Sequence, residues 1–204
     1  MKKLLGILIF SLLPLSASAG LITFNLAGNS GDGAEGLALD GRESGAVTKG
    51  GVTATLSARS DLGNGTFRLN QTSSSFGINY VDDGCDVSNQ VDNKCGTEYI
   101  TFLFSESVNL VSIMLTNYSS NDTARLDFDN GNMMDFNIAD SPSTTPVGKM
   151  VGGFGEGFKV KSLSGNGFSI DQFTILSSDV PEPGSLLLLG LGLAGLGFSR
   201  RKAK

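Results

Sequence analysis

The 204-residue sequence contains no histidine. Histidine is the commonest general base near neutral pH, so Ser-His-Asp and Cys-His catalysis are excluded. The same absence removes the usual ligands of catalytic zinc. Tryptophan is missing too, and tyrosine occurs only three times, which leaves few flat side chains for stacking on sugar rings. Two cysteines without histidine make a poor zinc set. There is no Gly-x-Ser-x-Gly elbow, no Walker loop and no repeat at solenoid or propeller period. No soluble stretch carries a sustained helical stripe with caps.

What is present begins with an N-terminal address. "MKKLLGILIFSLLPLSASAG" places Lys2 and Lys3 before an apolar stretch from Leu4 to Leu15 and closes on Ala17-Ser18-Ala19. A positive start, an apolar middle and a small-x-small site read as a secretory signal peptide, cleaved after Ala19 to leave Gly20 as the new N-terminus. The secretion translocon is therefore an expected partner. Between Gly20 and Val180 nine basic residues face nineteen acidic ones, a formal charge of −10. Such a surface repels nucleic acid and anionic lipid and suits cations or neutral partners. No nucleic-acid partner is expected.

About 160 residues, 20–179, remain for one domain with a single core. Short β-type runs alternate with turn chemistry: "LITFNLA", "GVTATLSARS", "TFRLN", "FGINYV", "EYITFLFS", "VNLVSIMLT", "ARLDFD", "MMDFNIA", "FKVKSL" and "FSIDQFTIL". Period-two alternation puts Ile100, Phe102 and Phe104 on one face, as it does Val111, Ile113 and Leu115, and Met134, Phe136 and Ile138. "NSGDGAEG", "LGNG", "DNGN" and "SGNG" supply positive-φ turn positions, and Asn130-Gly131 marks the clearest hairpin. The expected fold is all-β, an antiparallel two-sheet sandwich or jelly roll, with an N-terminal signal helix and a C-terminal hydrophobic helix outside it. "TEYITFLFSESVNLVSIMLTNYS" reads as two strands buried on both faces and joined by a turn at Ser105-Glu106-Ser107.

After Asp179 the composition changes abruptly, and the domain boundary is expected there. Pro181 and Pro183 fix φ and remove backbone donors, so Val180–Gly184 runs extended, as a processing enzyme would grip it. The apolar block Leu186–Phe198 spans only about 20 Å as a helix, against a hydrocarbon core of about 30 Å. Its four glycines weaken it further as a permanent anchor, and the cations behind it, Arg200 and Arg201 first, stay on the cytoplasmic side. "GLGLAG" within this block matches a dinucleotide fingerprint by coincidence, having neither the strand before nor the acidic residue after.

Val180, Pro181, Glu182 and Pro183, the short hydrophobic segment and the terminal Arg200-Arg201 together resemble the PEP-CTERM sorting signal of Gram-negative bacteria. The resemblance covers residues 180–204. It implies processing by an exosortase, transient association with the inner membrane, and delivery to the cell surface or extracellular matrix of a host that makes exopolysaccharide.

Three readings of the domain follow. The leading one is a non-enzymatic matrix protein associated with exopolysaccharide and carrying no cofactor. The second is a calcium-dependent carbohydrate-binding module or adhesin. It draws on Asp82, Asp83, Asp86 and Asp92 in "DDGCDVSNQVD" and on Asp127, Asp129 and Asp135 in "DFDNGNMMD". "GFSIDQFTI" also resembles the closing strand of some carbohydrate-binding jelly-roll modules; Phe168, Ile170, Asp171, Phe173 and Ile175 fit, and the resemblance makes Asp171 a calcium-ligand candidate. The third is a glycoside hydrolase using paired carboxylates, with Glu98 and Glu106 as candidates. Cys85 and Cys95, a close even pair in an oxidising compartment, are expected to form an intrachain disulfide.

Overall fold

The computed structural model describes residues 20–28, 33–63, 65–81, 89–94, 96–118, 121–137 and 154–177. The segments expected to be the signal and sorting helices lie outside these residues. Ala19–Ser178 forms one compact unit. Its described part is β-structure with one short 3-10 turn, Glu35–Ala38, and ten strands. These are β1 (Leu21–Asn25), β2 (Ser44–Lys49), β3 (Val52–Ser60), β4 (Phe67–Gln71), β5 (Phe76–Tyr80), β6 (Glu98–Thr116), β7 (Thr123–Phe128), β8 (Met133–Asn137), β9 (Phe154–Ser164) and β10 (Ser169–Ser177). All the strand pairs are antiparallel. Among the described residues no helix is long and apolar enough to cross a membrane.

The nineteen-residue β6 organises the fold. Its first half pairs with β3 on one side and β9 on the other, through Ala54↔Phe104 and Leu103↔Gly157. Its second half pairs with β10, from Val108↔Ser177 to Thr116↔Ser169. β10 in turn carries β1, while β9 carries β7 and β8. Phe173 of β10 packs edge-on against Phe102 and Phe104, with centroids 5.2 and 6.0 Å apart. Those two rings stand on the first half of the strand whose second half β10 pairs with. Such contact requires β6 to turn over the core and pass from one layer to the other, as strands do at the corners of packed sheets.

The corner falls at the expected turn but is built differently. Ser105, Glu106 and Ser107 are exposed, yet the strand continues through them. Between Leu103↔Gly157 and Val108↔Gly155, four residues of β6 stand opposite the single residue Glu156. This long irregularity bends the strand without ending it, so the two expected strands are one. Neither half is buried on both faces: the burial alternates, and Tyr99, Thr101 and Leu103 point away from Ile100, Phe102 and Phe104. A second irregularity corrects the apolar face of the second half. Thr174 faces Ser112 but Ile175 faces Leu110, so Val111 is the extra residue and the buried set is Val108, Leu110, Ile113 and Leu115.

The core is phenylalanine-rich. Phe24 stacks on Phe173 at 4.7 Å and Phe102 on Phe158 at 4.5 Å, with Leu56, Ile100, Leu126, Val160 and Ile175 fully buried around them. The β4–β5 hairpin closes one end. Ile78 and Asn89–Gln90 exchange backbone hydrogen bonds, and Val91 and Phe168 exchange another pair, which links β5 to the start of β10. The β7–β8 hairpin turns at Asp129–Asn132 with Gly131 at φ 84°, as expected from Asn130-Gly131. Of the third predicted face, Met134 packs against the core.

Candidate functional site

The first and last strands of the domain are neighbours. β1 and β10 run in continuous register from Leu21↔Leu176 to Asn25↔Gln172. The Ser177 N–H donates to the Gly20 carbonyl at 3.3 Å, and the Thr23 and Thr174 hydroxyls meet at 2.9 Å. The ladder ends where the leader is expected to be cut on one side and where the sorting motif begins on the other. Of the signal-cleavage residues, Gly20 lies here at the ladder's end; Ala17 and Ala19 lie outside the described residues. So do the sorting residues Val180, Pro181, Glu182, Pro183, Arg200 and Arg201, and the cysteines Cys85 and Cys95.

The acidic candidates do not converge. Among the described residues no three His, Cys, Asp or Glu side chains come together in a metal-binding group. Asp171 is the extra residue of a bulge in β10, since Ile170 faces Leu115 and Gln172 faces Met114. Its carbonyl accepts from the N–H groups of both Leu26 and Ala27, at 2.8 and 3.1 Å. Burial pushes its carboxyl above the ordinary range. Asp92 is fully buried and accepts the Lys94 N–H at 3.0 Å. Asp82, Asp83 and Asp86 lie outside the described residues.

The second acidic set is engaged within the sheet. Asp127 pairs with Lys161 at 2.5 Å. Asp129 accepts from the N–H groups of Glu156 and Gly157, at 2.7 and 3.0 Å. Asp135 takes a two-pronged contact from Arg125, whose guanidinium holds the carboxyl below its ordinary range. Glu98 and Glu106 are separated as well. Glu98 is buried at the start of β6, where its Oε2 accepts the Asp92 N–H at 3.1 Å, whereas Glu106 is exposed at the corner. Eight residues of strand and the β6 corner separate the two carboxylates, and no contact joins them as a pair of the kind that glycosidic hydrolysis uses.

The alternation of β6 and β9 leaves an outer sheet face that sequence reasoning did not single out. Asp61, Thr97, Tyr99, Asp127, Lys159 and Lys161 border a shallow cleft of about 290 Å³. It adjoins a smaller one of about 180 Å³ beside Thr101, Leu103 and Gly157. Lys159 holds its ammonium 5.4 Å from the centre of the Tyr99 ring. Leu103 is half exposed. Its signal was legible: Tyr99, Thr101 and Leu103 are the positions left over once Ile100, Phe102 and Phe104 are assigned to the core.

These features define an all-β domain whose two ends meet at one point, followed by a short motif-bearing tail. Residues 179–202 match the family model of the PEP-CTERM protein-sorting motif. The chain thus carries the signal that marks an exported, exosortase-processed protein of the cell envelope or surface. No curated protein and no solved structure matches the chain.

Proposed function

We propose that the chain is a secreted, non-enzymatic β-sandwich protein of the surface matrix, cut at both ends and associated with exopolysaccharide. The observation that carries this reading is the sorting motif at residues 179–202. The absence of histidine and the separation of Glu98 from Glu106 support a role without catalysis. The face bearing Tyr99, Leu103, Asp127 and Lys159 offers apolar patches beside hydrogen-bond donors and acceptors, the combination a polyol chain can use. In this reading Cys85 and Cys95 form a disulfide, and non-reducing peptide mapping should recover the linked peptides.

A glycan array, run with and without EGTA and including the host's own polysaccharide, tests the role. Chelator-insensitive binding of that polymer, weakened by Tyr99→Ala and without release of reducing ends, is the expected result. Binding lost in EGTA would favour the calcium-dependent module, and hydrolysis abolished by Glu→Gln changes would favour the glycosidase.

A further inference from the structure

The expected leader ends at Ala19 and the sorting segment begins at Val180, far apart in sequence, yet the fold brings their attachment points together. Gly20 is hydrogen-bonded to Ser177, and the first ladder residue, Leu21, follows the expected scissile bond by a single residue. A peptidase binds its substrate extended, with residues on both sides of the scissile bond inside its cleft. Once β1 is in the sheet, the residues on the downstream side are already held. Leu21–Asn25 are paired to β10, Ile22 and Phe24 are buried, and the Phe24 ring is stacked on Phe173. The N–H groups of Leu26 and Ala27 are fastened to the Asp171 carbonyl beyond the strand.

We infer that closure of the β1–β10 ladder sets the order of processing. Leader removal, hydrolysis of the Ala19–Gly20 bond by a leader peptidase, must precede closure and so supplies the chain that the sorting enzyme receives. β1 has no other strand partner among the described residues, and β10 is the last strand to cross the membrane. The leader bond therefore stays accessible throughout export and is masked when export of the domain ends. Long-range pairing of this kind is also slow to form. On the other side of the ladder, Val180 lies three residues beyond Ser177 and can be no more than about 11 Å from it. The sorting enzyme must then work against the end of the domain that also presents the new N-terminus.

The inference rests on reading residues 1–19 as a cleaved leader. Its test uses the full-length precursor, translated with leader peptidase present or first folded in detergent and exposed to the enzyme afterwards. The folded precursor should be cut at least roughly tenfold more slowly than the nascent chain, because cleavage then follows the small open population. A flexible insert of about six residues between Gly20 and Leu21 should restore the rate. Phe24→Ala, which loosens the ladder without lengthening the chain, should accelerate cleavage of the folded precursor on its own. Equal rates for nascent and folded wild-type chains would overturn the ordering. Cleavage of neither would overturn the leader reading beneath it.

Discussion

Asp171 sits where a strand gains an extra residue, and its carboxyl is raised by burial. A folded-state value above the unfolded one means that the protein is most stable, as far as this group is concerned, below the unfolded pKa near 3.9. That contribution is lost as pH rises through the folded value. Asp171→Asn should therefore leave the protein at least as stable as the wild type at pH 7, with the difference shrinking toward pH 4 in urea titrations. A calcium ligand predicts the reverse, a variant less stable than wild type only when calcium is added. Phe173 is the residue on which both layers converge, touching Phe24, Phe102, Phe104 and Phe158. Phe173→Ala should cost about 3–5 kcal/mol of unfolding free energy, read from denaturant midpoints. At this scale the apolar positions of β6 and β10 were legible because alternation marks them. Val111 was assigned to the wrong face because a bulge shifts the phase by one residue, and no residue type in "VNLVSIMLT" announces it.

Each element's legibility depended on how much of it is buried. β3 and β7 alternate cleanly, β10 does so beyond its bulge at Asp171, and all three were expected close to where they lie. β2 was not anticipated, because Val47 is its one buried side chain and the rest of "SGAVTK" reads as loop. It forms as an edge strand by pairing with all but three residues of β3 and lacks a hydrophobic pattern of its own. The Ser105–Ser107 corner was misread for the converse reason: three polar residues signal a reversal, and here they signal a change of sheet. The β7–β8 hairpin, correctly anticipated, carries the cross-strand pair Arg125–Asp135. Asp135 is exposed and Arg125 only partly covered, so a double-mutant cycle with alanine should give a small coupling that salt reduces. Because Asp135 is held below its ordinary range, the coupling is present above the unfolded carboxylate pKa. It disappears as pH falls through the lower folded value. Coupling that does not weaken on acidification would rule out this pair as its source.

On the scale of the whole molecule, a strongly acidic β-domain carries an apolar segment at each end. The sorting tail was the most legible part of the chain, since an enzyme reads it as a linear pattern and no folding is needed to assemble it. The outer sheet face was legible only strand by strand, because its members come from β6, β7 and β9 and meet only after the sheet forms. The adjacency of Gly20 and Ser177 was likewise invisible, being a matter of topology and not of composition. Central to the account is that the hydrophobic terminus is removed as the domain is delivered. Intact-mass analysis of the protein recovered from outside the cell, with and without the host's exosortase, tests it most directly. The expected result is a chain that begins at Gly20 and has lost Arg200 and Arg201 only when the enzyme is present. An exported chain still ending in those arginines in the wild-type host would contradict it.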